Sequence, residues 1–159
     1  MTFKILRRLT SWRFGHRPQG TCSPTLVIGP DIEATVTVIA TPDHVADARH
    51  FVGARLVNWG LERVSETAVL LTSEVVSNAI LHAGPHRSGA GLTVHLHGDS
   101  AMVRVEVADW STNVPVLGDI AVSGLSGRGL LLLDALASSW GSTPNREGKS
   151  VWFEIAVGE

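Results

Sequence analysis

Cysteine occurs once, at Cys22, so no internal disulfide can form and no cysteine-rich metal cluster can assemble. That usage is consistent with a reducing, cytoplasmic location. No stretch of about 18 consecutive apolar residues is present, which argues against a membrane span. The first residues are positively charged but lack a continuous apolar segment ahead of a small-residue cleavage site, which argues against a secretory signal. Charged residues make up only 18% of the chain and the net charge is -2, so nothing global points to direct nucleic-acid binding. There is no internal repeat.

What is present suits one globular domain: 159 residues, of which 44% are hydrophobic, enough for a substantial core. The charge is unevenly spread. Lys4, Arg7, Arg8, Arg13 and Arg17 all precede the first acid, Asp31, and the residues that follow them are acidic on balance. Residues 1–31, with Pro18, Gly20, Pro24, Gly29 and Pro30, read as a basic leader of low order. Such an arm ahead of an acidic domain also suits contact with an anionic partner. The folded domain is expected over 32–159.

Along that domain the periodicity predicts a strand over Glu33–Ala40, a turn at Thr41-Pro42-Asp43, and a helix from about Asp43 to Trp59 with Gly60 as its C-cap. A second helix follows from about Glu62 to His82. Residues 84–91 form a loop by composition. Leu92–His97 and Met102–Ala108 alternate as a hairpin around Gly98-Asp99-Ser100, and the second strand ends in Asp109. Residues 110–127 show no period, and so long a segment inside one domain reads as a functional lid. An apolar helix is expected from Leu130 to about Trp140, then a turn at Asn145–Lys149 and a closing strand, Val151–Val157. The order β-α-α-β-β-α-β implies an α+β domain with helices layered on one sheet.

Three clusters at element ends are candidates for chemistry. The first is LTSEVVSNAILHAG, Leu71–Gly84. There Glu74, Asn78 and His82 stand at i, i+4 and i+8 on one side of a helix, beside the apolar stripe of Val75, Val76, Ala79, Ile80 and Ala83. A carboxylate and a carboxamide one turn apart can meet a metal and a phosphate chain together; a merely solvated polar line has the same pattern. The second is Asp109, directly after an apolar strand, where a shielded carboxylate can accept from a purine amino group or simply cap a turn. The third is Gly127-Arg128-Gly129 ahead of a helix, where glycines permit close backbone approach and the helix dipole favours an anion.

Taken in order, these motifs resemble those of the GHKL, or Bergerat-fold, ATPases. Glu74-Val75-Val76-Ser77-Asn78-Ala79-Ile80-Leu81-His82 is similar to the N box, Asp109-Trp110-Ser111-Thr112-Asn113-Val114-Pro115 to a D-x-S-x-x-x-P form of the first glycine box, and Gly127-Arg128-Gly129-Leu130 to the second. The closest branch is the anti-sigma-factor serine/threonine kinases. The resemblance implies a two-layer sandwich with a mixed sheet covered by helices on one face. It implies ATP and Mg²⁺ as cofactors, with Asn78 holding Mg²⁺ and Glu74 as general base. Asp109, with Ser111 and Pro115 of the same box, would read adenine, and Gly127, Arg128, Gly129 and Leu130 would bracket the phosphates. His82 completes the N box, with a structural hydrogen bond or a ligand contact as its role. Gly148-Lys149-Ser150 is similar to a Gly-Lys-Thr-like segment near the nucleotide. Serine at position 111 and a short second box depart from the wider superfamily and bear on turnover. The implied partners are a sigma factor and a small STAS-like antagonist protein, which the kinase would phosphorylate, and the branch often forms homodimers. The alternative reading is an ATP-binding module that sequesters partners without useful turnover.

Overall fold

The first helix ends as its sequence requires. Gly60 takes a positive φ of 74°, its N–H donates to the Val57 carbonyl (3.0 Å), and the Leu61 N–H donates to the Leu56 carbonyl (2.8 Å). This is a Schellman arrangement, and its accompanying hydrophobic contact positions hold Leu56 and Leu61, both buried. The turn is tight, so the next helix starts at once and packs antiparallel on the first. The computed structural model describes residues 32–83, 90–110 and 127–158.

The elements are β1 (Ile32–Ile39), a 3₁₀ turn (Pro42–His44), α1 (Val45–Asn58), α2 (Glu62–Ala83), β2 (Gly91–Gly98), β3 (Met102–Asp109), α3 (Gly127–Leu136), β4 (Ser139–Pro144) and β5 (Lys149–Ala156). The strands form one sheet in the order β1-β2-β3-β5-β4. Two expectations change here. The stretch Ser139–Pro144 is a strand, and α3 begins at Gly127 and stops at Leu136 instead of running from Leu130 to about Trp140. The added strand reverses the chain before β5, so β5 lies antiparallel to β3. All four described pairings are therefore antiparallel, and the sheet is not mixed.

Alternation sorts the sheet into two faces. In register across four strands lie Val36, Val94, Val107 and Val151, and beside them Leu96, Val105 and Phe153. This inner face packs against α2, whose buried Ala68, Leu71, Val75, Val76 and Ala79 share one core with Val52 and Leu56 of α1 and Leu133 of α3. The outer face is polar. There Arg104 lies 4.0 Å over the Trp152 ring and pairs with Glu154 at 2.9 Å. The result is an α+β sandwich with its helices on one face.

By length and composition α2 passes as a membrane span, with a mean hydropathy of 1.2 over Glu62–His82, although the sequence reading saw no span. Its packing between sheet and α1 accounts for that apolarity, as the central helix of the core. The expected leader (residues 1–31) and most of the expected lid (residues 111–126) lie outside the described residues.

Candidate functional site

Helix α2 buries one side and turns its polar line toward the start of α3. Glu74 and Asn78 are half-buried, and His82, near the helix end, is exposed. Gly129 lies against the first two. A Cβ placed on Gly129 would stand 2.9 Å from Asn78 Nδ2, 3.0 Å from Glu74 Oε2 and 3.3 Å from Glu74 Cβ. A side chain here would push the ends of Glu74 and Asn78 away from where they now lie. The first turn of α3 carries N–H groups with no partner inside the helix, and the dipole adds partial positive charge there. A carboxylate, a carboxamide and a helix start are thus gathered around one buried glycine.

A second cluster stands at the end of the sheet. Asp109 closes β3 and Lys149 opens β5, and the two are register partners on the inner face. The Lys149 Nζ lies 3.1 Å from both Oδ1 and Oδ2 of Asp109. Their side chains are 8% and 1% exposed respectively, so the ion pair is buried. The preceding turn holds it in place. Asn145 Oδ1 accepts from the N–H groups of Glu147 (2.9 Å) and Gly148 (2.7 Å), and the Asn145 N–H donates to the Gly148 carbonyl (3.0 Å). Gly148 then packs on the backbone of Asp109 and Trp110: a Cβ there would collide with the Asp109 carbonyl oxygen. A cleft of about 310 Å³ opens beside this turn, between Thr93 and Ala108 of the outer face and residues Asn145–Glu147. Among the described residues, none of α2 or α3 lines it.

Chain connectivity links the clusters. The chain leaves α2 at Ala83 and re-enters the sheet at Gly91, beside the end of β3 that carries Asp109. From Trp110 it passes through residues 111–126 to the first turn of α3.

The other residues of interest sit as follows. Leu130 is buried in the core. Gly127 and Arg128 belong to the first turn of α3, but their side chains are not described. Ser111 and Pro115 lie outside the described residues. Ser150 is buried on the outer face, opposite Lys149, with Asn145 Nδ2 3.5 Å from its hydroxyl. It does not join Asp109 and Lys149. The sequence reading missed the direct pairing of Asp109 with Lys149 and the part played by Asn145. The only signal for the pairing was that each charge ends an otherwise apolar inner-face ladder.

The donor set suits magnesium. A carboxylate and an amide oxygen are hard ligands, and Mg²⁺ typically takes one or two protein oxygens and completes its shell with water and substrate phosphates. Among the described residues no group of three His, Cys, Asp or Glu side chains is gathered that could hold a metal ion.

An α+β sandwich whose helical layer sets a carboxylate and a carboxamide under a close-packed glycine defines an ATPase-like domain. Residues 38–155 match the family model described as the histidine kinase-like ATPase domain, and the chain belongs to that family, within the GHKL superfamily. Membership implies ATP binding. No curated protein matches the chain.

Proposed function

We propose that this protein is an ATP-dependent regulatory kinase that transfers phosphate to a serine or threonine of a small STAS-like antagonist and, as an anti-sigma factor, holds a sigma factor in alternation. It acts in the cytoplasm, as a homodimer in the manner of that branch, without contacting nucleic acid itself. The observation that carries this reading is the contact of Gly129 with both Glu74 and Asn78. A site that had lost its chemistry would have no need to keep a carboxylate beside the carboxamide under the helix start.

The roles follow from the chemistry. Phosphoryl transfer demands positioning and charge neutralisation more than covalent help. Bound Mg²⁺ would supply neutralisation, with Asn78 as its protein ligand. Glu74 would take the proton of the incoming hydroxyl, a contribution of about 10²- to 10⁴-fold. Asp109 would accept from the adenine amino group, and the first turn of α3, Gly127-Arg128-Gly129, would face the phosphates.

Calorimetry with ATP and Mg²⁺, paired with a partner-phosphorylation assay, tests the reading. Asn78→Ala should abolish magnesium-dependent binding. Glu74→Ala should keep nucleotide and lose at least about 10²-fold in transfer. An unchanged transfer rate in Glu74→Ala would end the kinase reading and leave a partner-sequestering ATP module.

A further inference from the structure

Burying a charge is unfavourable unless it is paired and hydrogen-bonded. The carboxylate that ends β3 is 1% exposed, and the ammonium straddling both its oxygens is 8% exposed. Lys149 therefore lies at hydrogen-bonding distance from the carboxylate it faces and points its charge there. It is set there by a hydrogen-bonded turn: three hydrogen bonds around Asn145 shape residues 145–148, and Gly148 rests on the backbone of Asp109 and Trp110 so closely that no side chain fits. A carboxylate offers about four acceptor sites, so it can accept from a cation and from further donors at once.

We propose that Lys149, delivered by the β4–β5 turn, is a positioning residue that orients the Asp109 carboxylate for a purine bearing an exocyclic amino group, and so sets base specificity without touching the phosphates. The inference rests on the ATP-binding reading above, and it deepens it by moving part of base selection from the β3 carboxylate to the opposite hairpin. Without the ammonium the carboxylate would lose the ion pair that spans both its oxygens, and the acceptor offered to the base would no longer be aimed. The phosphate end, built from Glu74, Asn78 and the first turn of α3, shares no described contact with Lys149.

The test compares ATP with purine riboside triphosphate, which carries the same phosphates and lacks the amino group. Both are titrated by calorimetry with Mg²⁺ into the full chain. A hydrogen bond to a charged acceptor predicts a preference for ATP of about ten- to a hundredfold in the unaltered protein. Lys149→Met should cut that ratio below about threefold while affinity for purine riboside triphosphate stays within about threefold. Lys149→Arg, which keeps a charged donor, should retain most of the ratio. Circular dichroism checks each fold. If Lys149→Met does not fold, Lys149→Gln, a neutral donor, takes its place with the same expected loss. A folded variant that keeps the full preference overturns the proposal. So does one that weakens both triphosphates equally, which would place Lys149 on the phosphates. Equal binding of both by the unaltered chain overturns this inference alone, whereas failure to bind either overturns the ATP reading beneath it.

Discussion

Replacing Gly129 by alanine should separate the stability of this protein from its chemistry. The added methyl would stand 2.9 Å from Asn78 Nδ2 and 3.0 Å from Glu74 Oε2, against 3.4–4 Å for ordinary contact. Both polar ends must retreat by about 0.5 Å or more, and the Glu74 Cβ at 3.3 Å limits how the glutamate can turn. For the fold this is a small disturbance, because the displaced atoms are the far ends of half-buried side chains. Alanine also recovers part of the roughly 1 kcal/mol that glycine costs in a helix. Gly129 has no positive φ, so the backbone accepts the change. We expect stability to move by no more than about 1 kcal/mol, or about 3 °C in Tm. For the site the disturbance is large, since a misplacement of about 1 Å in positioned groups can cost about 10²-fold. Binding of ATP with magnesium, or phosphotransfer, should fall about ten- to a hundredfold. The assay is calorimetry beside a thermal melt of the same sample. A folded Gly129→Ala protein with nucleotide affinity within about threefold of the original would show that this contact is not part of the site.

The remaining predictions concern the frame that holds it. Gly148→Ala forces a Cβ into the backbone of Asp109 and Trp110, so urea unfolding should show a loss of about 1–3 kcal/mol or more, as for other overpacked positions. Gly60→Ala places a side chain at φ 74° and should lower the urea midpoint by the equivalent of about 1–2 kcal/mol with the m-value unchanged. Phe153→Ala empties a fully buried position at the centre of the inner face and should cost about 3–5 kcal/mol in the same measurement. Glu154→Gln touches a part-exposed outer-face network with Arg104 and should change stability by no more than about 1 kcal/mol.

Much of the fold was legible because its signals are local. Gly60 after an apolar period marked the end of α1, and the alternation of Leu92–His97 and Met102–Ala108 marked the hairpin closed by Asp99, whose Oδ1 accepts from the N–H groups of Ala101 and Met102. The Glu74–Asn78 line was legible for the same reason: residues four apart share a helix face whatever surrounds them. Strand β4 was not legible. Ser139–Pro144 holds one large apolar residue, no alternation and a terminal proline tolerable only at an edge. It is a strand because β5 offers it a ladder, and Gly141 leaves room for the Trp152 ring, which a Cβ would meet at 2.9 Å.

The sequence by itself determined the helix faces, the strand alternation and the ordered motifs, since each depends on neighbours within a few positions and on the fixed periods of helix and strand. Only the tertiary structure decided which distant groups meet. Gly129 reached Glu74 and Asn78 across some fifty positions because α3 packs on α2 without a side chain between them. Asp109 met Lys149, forty positions on, because β3 and β5 pair antiparallel in a register that puts both on the inner face, and a period alone cannot specify a register.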